Sequence, residues 1–280
     1  MIIFKSAESL AAHLYLLRNE GKKIGFVPTM GALHRGHMSL IDQSGNENEV
    51  TVCSIFINPT QFTNEADFQH YPVTIESDIE ALQGAGCDIL FLPAQSEIYT
   101  ESFVTRHFEL GRLEELLEGH FRPGHFQGVC QVVDRLLQIV PAHTLYLGQK
   151  DYQQCMVIAR LLQITGREKE VKLAIVPTVR EPDGLAMSSR NLRLSPAGRE
   201  QASAIAEVLY ATQSKLSVQN FEALKQEASK FLTARGFSVD YVEIADARTL
   251  ETASGPGQPL VALVAASVGG IRLIDNLILN

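Results

Sequence analysis

The spacing of apolar positions changes along the chain. Val50 to Ile57 (VTVCSIFI) is a nearly continuous apolar run of strand length, typical of a strand buried on both faces of a parallel sheet. Ile24 to Val27, Asp88 to Leu92, Thr144 to Leu147 and Val171 to Val176 are shorter runs of the same kind. Between them apolar residues recur at helical spacing. Val129, Val132, Val133, Leu136, Leu137 and Val140 fall at offsets of 3, 4, 7, 8 and 11, and Pro141 stops the helix. Ile75 to Gln83 and Tyr152 to Leu162 read as further helices. Strands alternating with helices imply βαβ units and a parallel sheet.

After Pro177 the texture differs. Glu181-Pro182-Asp183-Gly184 has the composition of a turn. Ser195-Pro196 predicts an N-cap followed by a proline at the first helical position. Helices over Pro196 to Lys215 and Phe221 to Arg235 follow, then strands over Val239 to Ala245, Leu260 to Ala265 and Ile271 to Leu277. The expected fold is α/β. A parallel-sheet domain spans residues 1–176, and a smaller α+β domain spans 177–280. The length of 280 residues agrees, at a prior of about 150 residues per domain.

Composition narrows the function classes. Hydrophobic residues make up 45% and charged residues 20%, so the chain can bury a core. The formal charge of -8, with no basic run, argues against a nucleic-acid partner. Pro259 to Ala266, the longest apolar stretch near the C-terminus, is far short of the roughly twenty residues of a membrane span. Lys5, Glu8 and His13 interrupt the apolar residues of the N-terminal segment, so no secretory signal is expected. Cys53, Cys87, Cys130 and Cys155 are widely spaced without a C-x-x-C, which suits buried free thiols in a reducing, cytoplasmic compartment.

Five segments carry candidate chemistry. Pro28 to His37 (PTMGALHRGH) follows the first of these strands and opens a helix. Ligands of open α/β sheets sit beyond the carboxyl ends of strands, and a helix N-terminus offers N–H groups to a phosphate. His34 and His37, three apart, share a helical face and can donate to phosphate oxygens. They could equally be ordinary histidines or a metal pair, although the spacing of four and the glutamate of a helical zinc site are missing. Gly148 to Gln154 (GQKDYQQ) again follows a strand. Lys150 can reach the same crevice as a point charge on phosphate, while Asp151 to Gln154 also fits a helix-capping pattern. Met187 to Asn191 (MSSRN) offers two hydroxyls and a guanidinium in a loop suited to a lid, or is simply a serine-rich loop. Asn58 to Phe62 (NPTQF) could hold a neutral or carboxylate ligand. Phe121 to Phe126 (FRPGHF) adds Arg122 and His125. Three of the segments follow inferred strands and so converge on one sheet edge.

These stretches, with SIFINPTQF, RPGHFQGV, DGLAMSSRN, VDYVEIADARTLE and GGIRLIDN, resemble the pantothenate synthetase (pantoate–β-alanine ligase) family nearly end to end. The histidine motif alone would indicate only the wider nucleotidyltransferase group that includes class I aminoacyl-tRNA synthetases. The resemblance implies a Rossmann-like domain, a C-terminal domain closing over it, a homodimer, and a reaction using ATP with Mg²⁺. In that reaction (R)-pantoate is converted to pantoyl adenylate and pyrophosphate, and β-alanine then releases pantothenate and AMP. The family places ATP on Met30, Gly31, Ala32, Leu33, His34, Arg35, Gly36 and His37, with His37 as the usual catalytic residue. It also places ATP on Gly148, Gln149, Lys150 and Asp151, on Val179 through its backbone, and on Met187, Ser188, Ser189 and Arg190. His34, Lys150, Ser188, Ser189 and Arg190 would assist catalysis. Gln61 and Gln154 would bind pantoate, with Asn58, Arg122 and His125 as further substrate contacts. No metal ligand is assigned. Val73 stands where a basic residue is expected, and Cys130 and Ser267 also depart from the pattern. The alternatives are an adenylyltransferase of the same superfamily acting on another small substrate, and a non-catalytic module that binds RNA.

Overall fold

The computed structural model describes the chain except Val218, Gln219, Ser254 and Pro256. In chain order the first part runs β1 (Ile2–Phe4), α1 (Ala7–Asn19), β2 (Ile24–Thr29), α2 (Arg35–Glu47), β3 (Val50–Ile55), α3 (Glu65–Gln69) and α4 (Ile75–Gly84). It continues with β4 (Ile89–Phe91), α5 (Gln95–Ile98), α6 (Glu118–Phe121), α7 (His125–Ile139), β5 (Thr144–Gly148), α8 (Tyr152–Ile164) and β6 (Lys172–Val176). The six strands form one sheet in the order β1-β4-β3-β2-β5-β6, and every pairing is parallel. The chain leaves β2 toward β3 and β4, then crosses back to place β5 on the other side of β2. The strand order therefore reverses between β2 and β5. Such a switch point splays the connections apart and leaves a crevice at the strands' carboxyl ends.

The continuous apolar run predicted from 50 is β3, buried at all six positions between helical layers. Helix α7 buries the expected stripe, but it starts at His125, earlier than the apolar spacing shows. Gly124, at φ +81°, supplies the left-handed turn that admits this earlier start. Helix α1 and edge strand β1 have weak hydrophobic signatures. Only Leu10 and Leu14 of α1 are fully buried, and Ile2 and Ile3 of β1 are exposed.

The second part runs α9 (Pro196–Ala202), α10 (Ala204–Lys215), α11 (Phe221–Ala234), β7 (Ser238–Asp246), β8 (Leu260–Val268) and β9 (Ile271–Ile278). Its three strands pair antiparallel in the order β7-β8-β9. Ser195 caps α9 as expected, its Oγ accepting from the Gly198 N–H at 3.1 Å. The single helix expected over 196–215 is divided at Ser203. There the hydroxyl donates to the Glu200 carbonyl at 3.2 Å and competes with the backbone ladder. Central strand β8 is apolar at every position but Ser267 because both faces are covered. Leu260, Ala262 and Val264 face α10 and α11. Val261 and Leu263 meet Leu113, Leu116, Tyr152 and Met156 from the first part of the chain. Strand β9 thereby lies against the open end of the parallel sheet.

Candidate functional site

A cleft of about 230 Å³ opens at the carboxyl ends of β2, β3, β5 and β6 and is closed on the far side by β9. Each of the five candidate segments contributes to it. Met30, His34, Gly36 and His37 line it from the β2 side, and Gly148, Lys150, Asp151 and Gln154 from the β5 side. Asn58 and Gln61 enter after β3. Arg122 and His125 come from the start of α7, and Val179 and Met187 to Arg190 from the connection after β6.

The histidines are locked by the start of α2. The Gly36 N–H donates to His34 Nδ1 at 3.1 Å, and the His34 N–H donates to His37 Nδ1 at 3.3 Å. The rings lie in contact with centroids 4.1 Å apart and planes tilted by 39°. With both Nδ1 atoms accepting, each neutral ring carries its proton on Nε2. Burial, reinforced by the Lys150 charge, pushes His34 down to about 4. Burial, then His34 and Lys150, hold His37 well below the usual histidine range. Near neutral pH the pair therefore acts as uncharged donors. Gly36 is required by space, because a Cβ there would lie 2.9 Å from the His34 ring.

The rest of that segment is largely engaged within the protein. Gly31, Ala32 and Leu33 form a tight turn, with Gly31 at φ +82° and Ala32 at +49°. The Ala32 and Leu33 N–H groups donate to the buried Asp78 carboxylate at 2.9 and 2.8 Å. Arg35 points outward to Glu181 at 3.4 Å. The N–H groups of His37 and Met38 bond the His34 carbonyl. Of the expected cradle of backbone N–H groups, those of Gly31, Ala32, Leu33, Gly36 and His37 are therefore taken within the protein.

Lys150 Nζ lies 3.4 Å from Asp151 Oδ1. Asp151 occupies the N-cap position of α8 but makes no capping hydrogen bond, so the capping pattern read from Asp151 to Gln154 is not formed. Burial works to raise the Asp151 carboxyl, but Lys150 and Arg190 outweigh it and hold the group below its ordinary value. Gln149 leaves the cleft, its Nε2 donating to Asn276 Oδ1 at 3.3 Å. The Val179 carbonyl is taken by the Met187 N–H at 3.0 Å, and the Val179 N–H has no partner among the described residues. The neighbouring Thr178 hydroxyl is buried, lines the cleft and has no partner among the described residues.

The serine-rich loop is fastened across the cleft. Arg190 and Arg193 both donate to Asp67, at 2.8 and 2.6 Å, and Ser189 Oγ meets the Tyr71 hydroxyl at 3.1 Å. Ser188 Oγ accepts from the Arg190 N–H at 3.3 Å. Asn58, almost fully buried, spends its side chain internally, donating to Gln61 Oε1 and to the Gly128 carbonyl, both at 3.2 Å. It shapes the turn that carries Gln61. His125 Nδ1 lies 2.7 Å from the Gln61 carbonyl and Nε2 lies 3.0 Å from Arg122. Val73 is exposed and outside the cleft lining.

Residues from the second sheet were absent from the sequence reading. Tyr241, Ile274, Asp275 and Asn276 line the cleft. Asp275 receives both Arg180 nitrogens, at 2.5 and 3.1 Å. The available signals were the matched stretches VDYVEIADARTLE and GGIRLIDN, whose residues carried no assigned role.

A parallel sheet with a switch-point cleft, paired neutral imidazoles and an ammonium group defines a nucleotide-handling α/β enzyme. The family model for pantoate-beta-alanine ligase matches residues 2–278. Pantothenate synthetase from Bacteroides fragilis is 42% identical over 282 aligned residues, covering 99% of this chain and 98% of that protein. The Thermotoga petrophila protein of that name is 43% identical, with 100% of both chains covered. The crystal structure of pantothenate synthetase from Thermus thermophilus superposes with a TM-score of 0.93 at 40% identity, covering 100% of this chain and 99% of that one. Pantoate-beta-alanine ligase from Francisella tularensis, complexed with beta-gamma ATP and beta-alanine, superposes at 0.85 with 37% identity, covering 99% of this chain and 97% of that one. The chain belongs to the pantoate–beta-alanine ligase family and is a ligase forming a carbon–nitrogen bond.

Proposed function

We propose that this ATP-dependent joining of (R)-pantoate to β-alanine proceeds through a pantoyl adenylate held in the cleft. The carrying observation is the convergence of His34, His37 and Lys150 from β2 and β5 with Gln61 and Gln154 around one cavity. A pantoate carboxylate oxygen attacks the α-phosphorus, its bond to phosphorus forms, and the bond to pyrophosphate breaks. The β-alanine amine then attacks the activated carbonyl, loses a proton, and AMP leaves with the former carboxylate oxygen. The nucleophile and the phosphate are both anionic, so the barrier contains a repulsion that positioned donors offset. The Nε2–H groups of His34 and His37 supply neutral donors, and Lys150 and Arg190 supply charge. Ser188 and Ser189 shape the loop that presents Arg190. The Val179 N–H and the Thr178 hydroxyl are free to meet the base. Arg122 suits a substrate carboxylate. The C-terminal domain, residues 177–280, limits water access to the adenylate.

The donor set fits a Mg²⁺ carried mainly by phosphate. No group of three or more His, Cys, Asp or Glu residues is placed to hold a metal among the described residues. Mg²⁺ commonly keeps its waters and takes one or two carboxylates beside substrate phosphates, and Asp151 is the cleft carboxylate available for that. When bound, the ion would neutralise triphosphate charge. The homodimer is supported by family similarity, and the open edge of β1 with exposed Ile2 and Ile3 is a surface available to it. The four buried free cysteines suit a cytoplasmic setting.

ATP–pyrophosphate exchange tests the reading. Exchange should require pantoate and proceed without β-alanine. AMP release should then depend on the amine, whereas an adenylyltransferase would leave AMP on its product. Exchange indifferent to pantoate would refute it.

A further inference from the structure

Strand β9 turns alternate residues to opposite sides. Ile271 and Leu273 are buried in the second core with Leu277 packed against it, while Arg272, Ile274 and Asn276 face the first part of the chain. The Asn276 side chain uses both ends of its amide. Its Nδ2 donates to the Gln149 and Lys150 carbonyls, each at 2.9 Å, and its Oδ1 accepts from Gln149 Nε2. The residue that carries the phosphate-directed ammonium therefore has its own backbone gripped from the other sheet. An aspartate here would set an oxygen against two carbonyls, and an alanine would leave both without a donor.

At the other end of the strand, Arg272 donates to Glu118 Oε2 and Oε1 at 2.8 and 2.7 Å and to Asp240 Oδ2 at 2.7 Å. Glu118 is buried, also accepts from the Tyr241 hydroxyl at 2.9 Å, and lies 3.7 Å from Arg122. Arg122 in turn meets His125, which meets the Gln61 carbonyl. Two guanidinium groups thus face two carboxylates. Because Arg272 satisfies Glu118 at close range, Arg122 stays turned toward His125 and the cleft. Without Arg272, the buried Glu118 charge would draw Arg122 away from the substrate.

We propose that the cleft face of β9 is a two-ended positioning surface. Asn276 sets Lys150 for adenylate formation, and Arg272, through Glu118, sets Arg122 and Gln61 for the acid and amine substrates. This rests on the reaction proposed above. Neither residue touches the reacting atoms, so both act through others, and their effects should separate by substrate.

The experiment compares wild type with Asn276→Asp, Asn276→Ala, Arg272→Met and Gln213→Ala. Apparent KM for ATP, pantoate and β-alanine is measured together with thermal midpoints. Gln213 anchors β9 outside the cleft, through the Ile278 carbonyl at 3.1 Å. The Asn276 variants should raise the ATP KM about tenfold and slow exchange, as expected for losing buried hydrogen bonds. Their KM values for pantoate and β-alanine should hold. Arg272→Met should raise the pantoate or β-alanine KM by a similar factor and spare the ATP KM, and Gln213→Ala should change none of them. If Asn276→Asp does not fold, Asn276→Ala carries the test. Wild-type kinetics in the variants, or one uniform loss across all substrates that tracks thermal midpoint, would overturn the proposal. Wild type without pantoate-dependent exchange would overturn the reaction reading, and the assignment of β9 with it.

Discussion

His34 and His37 hold each other in a single tautomeric arrangement. The His34 N–H donates to His37 Nδ1, and His34 Nδ1 accepts from Gly36. Each ring is left with one donor, at Nε2, where a developing phosphate charge can be met. Replacing His37 by alanine should slow pantoate-dependent exchange by about 100- to 1000-fold, as for loss of one preorganised donor. Glutamine, whose amide reaches about as far as Nε2, should retain more activity than alanine. Equal losses in the two variants would show that the Nε2 donor is not the catalytic feature.

The depressed histidine values set the pH response. His34 stays neutral until about pH 4, so exchange should not fall away near pH 6.5 as it would if a charged imidazole mattered. Stability behaves differently. Burial holds His125 at about 3, with Arg122 adding to the shift. An unfolded histidine takes up its proton near 6.5. Between these values the unfolded chain binds more protons, so stability rises with pH and is lost as pH falls below 6.5 toward 3. The thermal midpoint should drop over that window, and His125→Gln should flatten the drop. An unchanged slope in His125→Gln would contradict the assignment.

Gly128 should prove intolerant of a side chain. A Cβ there would lie 2.2 Å from the Thr60 carbonyl oxygen, on the turn that carries Gln61. Gly128→Ala should cost about 1–3 kcal/mol from overpacking and raise the pantoate KM, both readable by denaturant unfolding and steady-state kinetics. Normal stability with normal pantoate affinity would mean that the turn yields freely.

Asp67 fastens the loop through Arg190 and Arg193. Burial works to raise the Asp67 carboxyl, but the two guanidinium groups outweigh it and hold the group low. Asp67→Asn should expose the peptide bonds after Arg190 and Arg193, so trypsin should cut there several-fold faster, the scale of losing an ion pair worth about 1 kcal/mol. Cleavage at the wild-type rate would show that the loop is held by other contacts, such as Ser189 with Tyr71.

The legibility of the chain follows from where information is local. Strand β3 and helix α7 were readable because burial imposes an unbroken or periodic apolar pattern on consecutive residues. The convergence of the 30–37, 58–62 and 148–154 segments was readable from their positions after strands. The partners of those segments were not. Asp78 takes the Ala32 and Leu33 N–H groups from 46 and 45 positions away. Asn276 takes the Lys150 carbonyl from 126 away. A lone aspartate or asparagine has no pattern of its own, so its role exists only once the chain is folded. The same holds for Asn58, whose side chain the fold turns back onto its own turn.

The most direct test of the cleft as an acid-activating site follows oxygen. Pantoate carrying ¹⁸O in both carboxylate positions should be supplied with ATP and β-alanine, and the AMP weighed by mass spectrometry. The account requires one labelled oxygen in every AMP formed. Unlabelled AMP, with the departing label found in pyrophosphate or in water instead, would contradict it.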